Sequence, residues 1–248
     1  MEPIRLADHG VRLFAGRLYN HDYLWFSSTE ISKVSTTLPV IHNYALTYAL
    51  ASFSYAAFWG NTPRYFEDLP RMPLYATPAA AENVRRTTIT YNAVDSLTLR
   101  TDVGPSVNTP NLGWRVYLDP MYEPGGTTKP AMGYTFYVFV FVKEHEMTFG
   151  DSRPQGTFRL GKKGAPVRVR WQEVSNPVAV FREVPTRPGH LVNPLDITGQ
   201  VKSFDVIGIP PHLLFRSVEI TGDWFIFGSG MPIHLPKTVR ERIGTTGT

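Results

Sequence analysis

The chain of 248 residues contains no cysteine, which excludes a disulfide scaffold, cysteine-ligated zinc and a cysteine nucleophile. It also has no long hydrophobic run. The most apolar stretch, residues 134–142, is too short to cross a bilayer as a helix, and its Val, Phe and Tyr content suits a core strand. The opening residues, Met1 to Asp8, carry neither the cationic start nor the apolar segment of a secretion signal, so a cytoplasmic protein with no membrane partner is expected. Metal spacing is missing as well. The seven histidines are scattered without an H-x-E-x-H or H-x-x-x-H pattern, and no metal or cofactor is expected. There is no G-x-S-x-G nucleophile elbow and no dinucleotide fingerprint after the first strand.

One absence is local. Residues 152–172 contain no acid but carry Arg153, Arg159, Lys162, Lys163, Arg168 and Arg170, a far steeper imbalance than the net charge of +4 for the whole chain. A positive field is therefore concentrated there. The run from Gly156 to Lys163 has the G-x-x-x-x-G-K spacing of a phosphate loop, yet Lys163 stands where Ser or Thr would hold magnesium. Gly164 and Pro166 also stop any following helix, and Val167, Val169 and Trp171 alternate with Arg168 and Arg170 as in a strand. Nucleotide hydrolysis is thus disfavoured. The stretch reads instead as a glycine-bracketed cationic turn feeding a strand that buries one row and exposes two guanidiniums. Arginine dominates the basic residues overall, and with 13% aromatics and a pI near 9.3 a nucleic-acid partner is favoured over a membrane surface.

Elsewhere the pattern is mostly strand, and 248 residues fit a single domain. Residues 12–19 read as a first strand, with Gly16 placed for a bulge or a close backbone approach. A helix apolar on nearly every face is expected from Asn43 onward. The proline-punctuated segment 62–78, carrying Arg64 and Arg71, reads as an extended arm, and a short helix is expected over 79–86. Strands are expected at 87–91, 97–101, 114–118, 134–142, 167–171, 177–184, 201–209, 214–220 and 224–227, and residues 243–248 as a disordered tail. His42 and Tyr44, at the start of the helix, are the side chains to watch for general acid-base chemistry on RNA, although no spacing selects them. Lys143 to Glu146 is the one compact titratable cluster.

Four segments together resemble a known family: Leu18 to Ile31, Ile41 to Leu50 (Ile-His-Asn-Tyr-Ala-Leu-Thr-Tyr-Ala-Leu), Phe158 to Lys162, and Ser203 to Pro211. The family is the Csc family of type I-D CRISPR systems, whose members take the Cas "five" role within the RAMP superfamily. The resemblance spans roughly residues 12–227. It implies an α+β fold with a ferredoxin-like, RRM-like core, mostly antiparallel strands, one main buried helix, an inserted arm or thumb within 60–130, and a strand-rich C-terminal part. It further implies a non-catalytic subunit of a surveillance (Cascade) complex that holds and caps the 5′ handle of crRNA. The partners implied are the large subunit, the filament-forming RAMP subunits and, near the PAM, target DNA. Carried onto this sequence, Arg159, Gly161, Lys162, Lys163, Gly164, Arg168 and Arg170 line handle phosphates. His42, Asn43 and Tyr44, the aromatics Tyr23 and Trp25, and Arg64 and Arg71 complete the RNA-contacting set, with Tyr65 and Tyr75 of the arm available to stack between bases. Two alternatives stay open at this point: a metal-independent endoribonuclease that processes repeat RNA, because a related branch of the family cleaves RNA, and a purely structural coat-like subunit.

Overall fold

Alternation in two distant stretches builds the centre of the molecule. Residues 11–20 and 134–141 pair antiparallel, from Tyr134 opposite Leu18 to Phe141 opposite Val11. The computed structural model describes residues 1–55, 59–60, 62–93, 111–121, 133–142, 153–228 and 230–245. In chain order the strands and helices are β1 (Ile4–Arg5), β2 (Val11–Asn20), β3 (Thr29–Ile31), β4 (Val34–Thr36), β5 (Val40–Ile41), α1 (Asn43–Tyr55), α2 (Tyr65–Asp68), β6 (Leu74–Ala76), β7 (Ala79–Ala80), β8 (Arg86–Ala93) and β9 (Asn111–Leu118). They continue with β10 (Tyr134–Phe141), β11 (Thr157–Leu160), β12 (Ala165–Glu173), β13 (Val178–Arg182), β14 (Gln200–Ile207), β15 (Leu214–Thr221), β16 (Asp223–Ile226), β17 (Ile233–His234) and α3 (Lys237–Thr245).

The main sheet runs β11-β12-β2-β10-β7-β5, with β6 also on β10. Within it, β12, β2, β10 and β6 lie side by side, and every pairing is antiparallel. Because β2 and β6 flank β10 and are joined through α1, this is the split β-α-β arrangement of a ferredoxin-like sheet. The fold is accordingly α+β, mostly antiparallel, with few helices. On one sheet face Phe14, Leu18, Phe136 and Val138 pack with Leu46 and Leu50 of α1. On the other, Leu13, Phe139 and Phe141 pack with Trp224 and Ile226 of β16 and Val239 of α3. Each of these side chains contributes about 1.5–3 kcal/mol by leaving water. Gly16 is a close approach: a Cβ there would stand 2.6 Å from Phe136 and 2.7 Å from Trp171.

Several expectations need correction. Segment 62–78 is not an extended arm. Its first half forms α2, and Leu69, Met72, Leu74, Tyr75 and Ala76 are buried, because β6 completes the sheet against β10. No helix forms over 79–86; Ala79 and Ala80 pair with Ile41 and Val40, and Ala80 also with Thr135, so pairing overrides alanine's helix preference. Nor is 243–248 wholly a tail, since α3 extends to Thr245 and buries Ile243. Strand β8 forms as expected but pairs with β9. The expected strand 97–101 and the Lys143 to Glu146 cluster lie outside the described residues. Among the described residues, no helix is long and apolar enough to cross a membrane.

Candidate nucleic-acid interface

Strand β12 carries out the alternation its sequence sets. Val167 and Val169 are buried, whereas Arg168 and Arg170 are exposed. The hairpin to β11 places Thr157 opposite Arg168 and Arg159 opposite Pro166, so Arg159 shares the outward face. On the other flank, β2 places Arg17 opposite Arg170 and Tyr19 opposite Arg168. Arg159, Arg168, Arg170 and Arg17 therefore occupy one face of three adjacent strands. It is the same face that Leu13 and Phe139 use beneath β16. One end of this sheet face is covered and apolar; at the other, Arg159, Arg168 and Arg170 are exposed, Arg17 is half-buried and Tyr19 between them is buried.

The turn joining β11 to β12 is held rigidly. Gly161 and Gly164 have φ of +79° and +62°, a region that side chains with a Cβ rarely adopt. The Gly164 amide donates to the Gly161 carbonyl at 3.0 Å, and Arg159 donates to the Gly164 carbonyl at 2.9 Å. The Lys162 amide donates to the Trp25 carbonyl at 3.0 Å, which ties the turn to the loop after β2. A Cβ at Gly161 would sit 2.8 Å from that carbonyl oxygen. A strand follows the turn, as the sequence suggests, and not the helix a phosphate loop requires.

Trp25 is not an open base platform. It is 7% exposed, its ring lying between the Arg115 guanidinium at 4.3 Å and the Lys162 ammonium at 5.1 Å. The sequence could not reveal this, since Arg115 arrives from β9. Tyr23 stays 39% exposed, edge-on to Tyr117 at 6.0 Å. Lys163 is exposed.

The three residues at the head of α1 require a second correction, because they cannot meet RNA directly. His42, Asn43 and Tyr44 are 3%, 0% and 5% exposed. Helix α1 begins between two packed surfaces, and its polar groups turn inward, where all but the buried Nε2 of His42 find the partners named next. Asn43 donates to the Tyr75 hydroxyl at 2.9 Å, Asn193 donates to Asn43 at 3.2 Å, and Tyr75 donates to the Asp196 carboxylate at 2.8 Å. His42 Nδ1 accepts the Tyr44 amide at 3.2 Å. Burial, with the neighbouring His212, brings the His42 pKa down to about 3, and burial raises Asp196 to about 6. Tyr75 is 1% exposed and cannot stack on a base. Arg64 and Arg71, both exposed, sit just before α2 and at the end of the turn Leu69–Arg71 that follows it, with Arg64 paired to Glu67 at 2.8 Å. They belong to a different element from the β11-β12 face. Tyr65 packs at 4.8 Å against Tyr44.

Arg17 was missed because its neighbourhood depends on register. Its place on an alternating strand was visible, but its position opposite Arg170 was not.

Taken together, the chain is an α+β protein built on a ferredoxin-like sheet with a polycationic open face. It belongs to the family described as type I-D CRISPR-associated protein Cas5/Csc1, whose model matches residues 11–243. Comparison with curated proteins gives no match. Among solved structures, a chain of the type III-B Cmr-beta complex bound to cognate target RNA and AMPPnP is similar over 94% of this chain and 90% of that one, at 10% identity and a TM-score of 0.39.

Proposed function

We propose that this subunit binds the 5′ handle of crRNA through the β11-β12 face and caps that end of a type I-D surveillance complex. The observation that supports it is the coplanar row Arg159, Arg168, Arg170 and Arg17, bordered by the rigid turn that carries Lys163. Arg170 and Arg17 are direct cross-strand neighbours and Arg168 and Arg159 lie on the same face beside them, so the guanidiniums offer several bidentate donors to successive phosphates of a single strand. The row positions the RNA and does not read its sequence. The large subunit, the filament-forming subunits and target DNA near the PAM are the further partners this role calls for, in the cytoplasm.

The subunit acts by binding, with no catalysis of its own. His42 and Tyr44, the residues the endoribonuclease alternative would use, are buried, and His42 Nδ1 is occupied by a backbone amide. A general base must reach its proton within hydrogen-bond distance of the substrate, and no exposed edge of this pair offers that.

Filter binding of synthetic handle RNA across a salt series tests the reading. Several phosphate contacts predict a log-log slope of about −0.7 per contact for a single strand. A flat salt dependence, or equal competition by unrelated RNA of the same length, favours a coat-like role. Site-specific cleavage of repeat RNA in EDTA, abolished by His42→Ala, would overturn the non-catalytic reading.

A further inference from the structure

We infer that the groove bordering the cationic face is a pocket for one unstacked nucleobase of the RNA strand lying on that face. The inference rests on the reading of the face as an RNA-binding surface and adds a site to it. The groove is a cavity of about 1110 Å³ between the edge of the main sheet, the loop 188–191 and β15. Small-ligand pockets typically enclose about 300–1,000 Å³, so a base with its ribose fits with room for water.

Its position is fixed by the sheet register. Thr135, exposed on β10, lines the groove and is the cross-strand neighbour of Arg17, which in turn faces Arg170. Gly133 also lines it, and a Cβ at that position would stand 3.0 Å from Arg17 Cγ, so the groove wall and Arg17 touch. A phosphate held between Arg17 and Arg170 therefore lies about one strand spacing from the groove entrance. The base attached to it has the groove on one side and water on the other.

The lining matches that ligand. Pro39, Val40, Pro188 and Leu191 supply apolar walls, while Arg86 and Arg216 place guanidiniums beside them and Glu82 offers a carboxylate acceptor. His190 adds ring surface without charge: its Nδ1 meets the Leu191 carbonyl at 2.7 Å, its Nε2 accepts the His234 amide at 3.1 Å, and burial lowers its pKa to about 4. A ligand combining a flat apolar body, a polar edge and an anionic tether is a nucleotide, and the tether points toward the arginine row. A purely apolar peptide side chain would leave Arg86 and Glu82 without a role, Arg216 being already paired to Asp205 at 3.7 Å, which makes a protein occupant the lesser fit.

The test uses the full chain and synthetic handle RNA in which single nucleotides, position by position, lack their base. Wild type is expected to lose affinity about 10-fold at one position and little elsewhere, as base stacking against protein allows. Thr135→Trp fills the groove floor at an exposed strand position. It should bind intact RNA about 10-fold more weakly, lose nothing further with the base-less RNA, and keep the wild-type salt slope because the phosphates are still held. Ser217→Trp, from the opposite wall, should reproduce this and guards against a folding defect at Thr135. The pocket is overturned if both variants bind intact RNA like wild type, or if the penalty for the missing base persists in them. It is equally overturned if they block association with other subunits while leaving RNA affinity unchanged. If wild type shows the expected salt slope but no base-sensitive position, only the pocket fails; if wild type does not bind RNA, the arginine row fails with it.

Discussion

Two polar regions, one on the β11-β12 edge of the main sheet and one at the head of α1, differ in where their charge goes. In β11-β12 the apolar residues alternate with arginines, so one row is buried and the cations face solvent. At the head of α1 the polar residues enter between two packed layers, where Asn43, Tyr75, Asp196 and Asn193 bond one another and His42 is buried with only its Nδ1 bonded. Both regions carry residue types suited to RNA. Whether such residues face a ligand or the core is decided by the periodicity of the apolar residues around them, because a strand with one buried row has a free face and a helix buried all round has none.

The contrast can be broken from either side. The largest effect is expected from charge reversal on the open face: Arg168→Glu with Arg170→Glu should weaken handle RNA binding on the order of 100-fold and reduce the salt slope by about 1.4. The midpoint of urea unfolding should be nearly unchanged, because both side chains are exposed. A large loss of stability instead would mean that these arginines are structural.

Acid should act at the sealed His42 and at His190 in the groove wall. His42 and His190 have folded-state pKa values of about 3 and 4, below the ordinary 6.5, so the unfolded chain takes up protons there first and stability falls as pH drops below 6.5. Asp196, raised to about 6, works in the opposite direction: its neutral form is favoured in the folded state, so stability is gained as pH falls through 6 toward 3.8. Between pH 6.5 and 5 the two histidines each remove about 2 kcal/mol and Asp196 returns about 1, a net loss readable by urea titration at each pH. A flat profile across that range would mean that the folded chain takes up these protons as readily as the unfolded one.

Tyr75→Phe tests the same network by deletion. It removes the hydroxyl that receives Asn43 and donates to Asp196, at a cost of about 1–3 kcal/mol for the buried partners left unmatched, with RNA affinity unaffected. The smallest effect separates the two lysines of the turn. Lys163→Ala should lower the salt slope by about 0.7, whereas Lys162→Ala should change it less, since the Lys162 ammonium already sits over Trp25. Equal slopes for the two variants would mean that Trp25 does not engage Lys162 in solution.

The open face was legible in the sequence because period-two alternation and a glycine-bracketed turn are local signals, and β12 obeys them residue by residue. Helix α1 was legible for the same reason, from Asn43 onward. The burial of His42 to Tyr44 follows from layers supplied by residues 65–75 and 193–243, far along the chain, and no local pattern announces it. Segment 62–78 misled because its prolines signal breaks but do not say what the chain between them covers; Leu74 to Ala76 complete a sheet whose partner, β10, lies some sixty residues later. Arg17, Arg115 and the groove at Thr135 depend on strand register and on contacts between sheets. Those are fixed by the folded packing of the whole sheet and cannot be read from composition.

Photocrosslinking tests the central claim most directly. The assembled complex, carrying guide RNA with 4-thiouridine in the 5′ handle, is irradiated and the crosslinked peptides of this subunit are identified by mass spectrometry. Crosslinks within residues 157–171 and around Arg17, with none at His42 to Tyr44, are the expected result. Handle crosslinks confined to other subunits, or falling on the α1 head in place of the β11-β12 face, would contradict it.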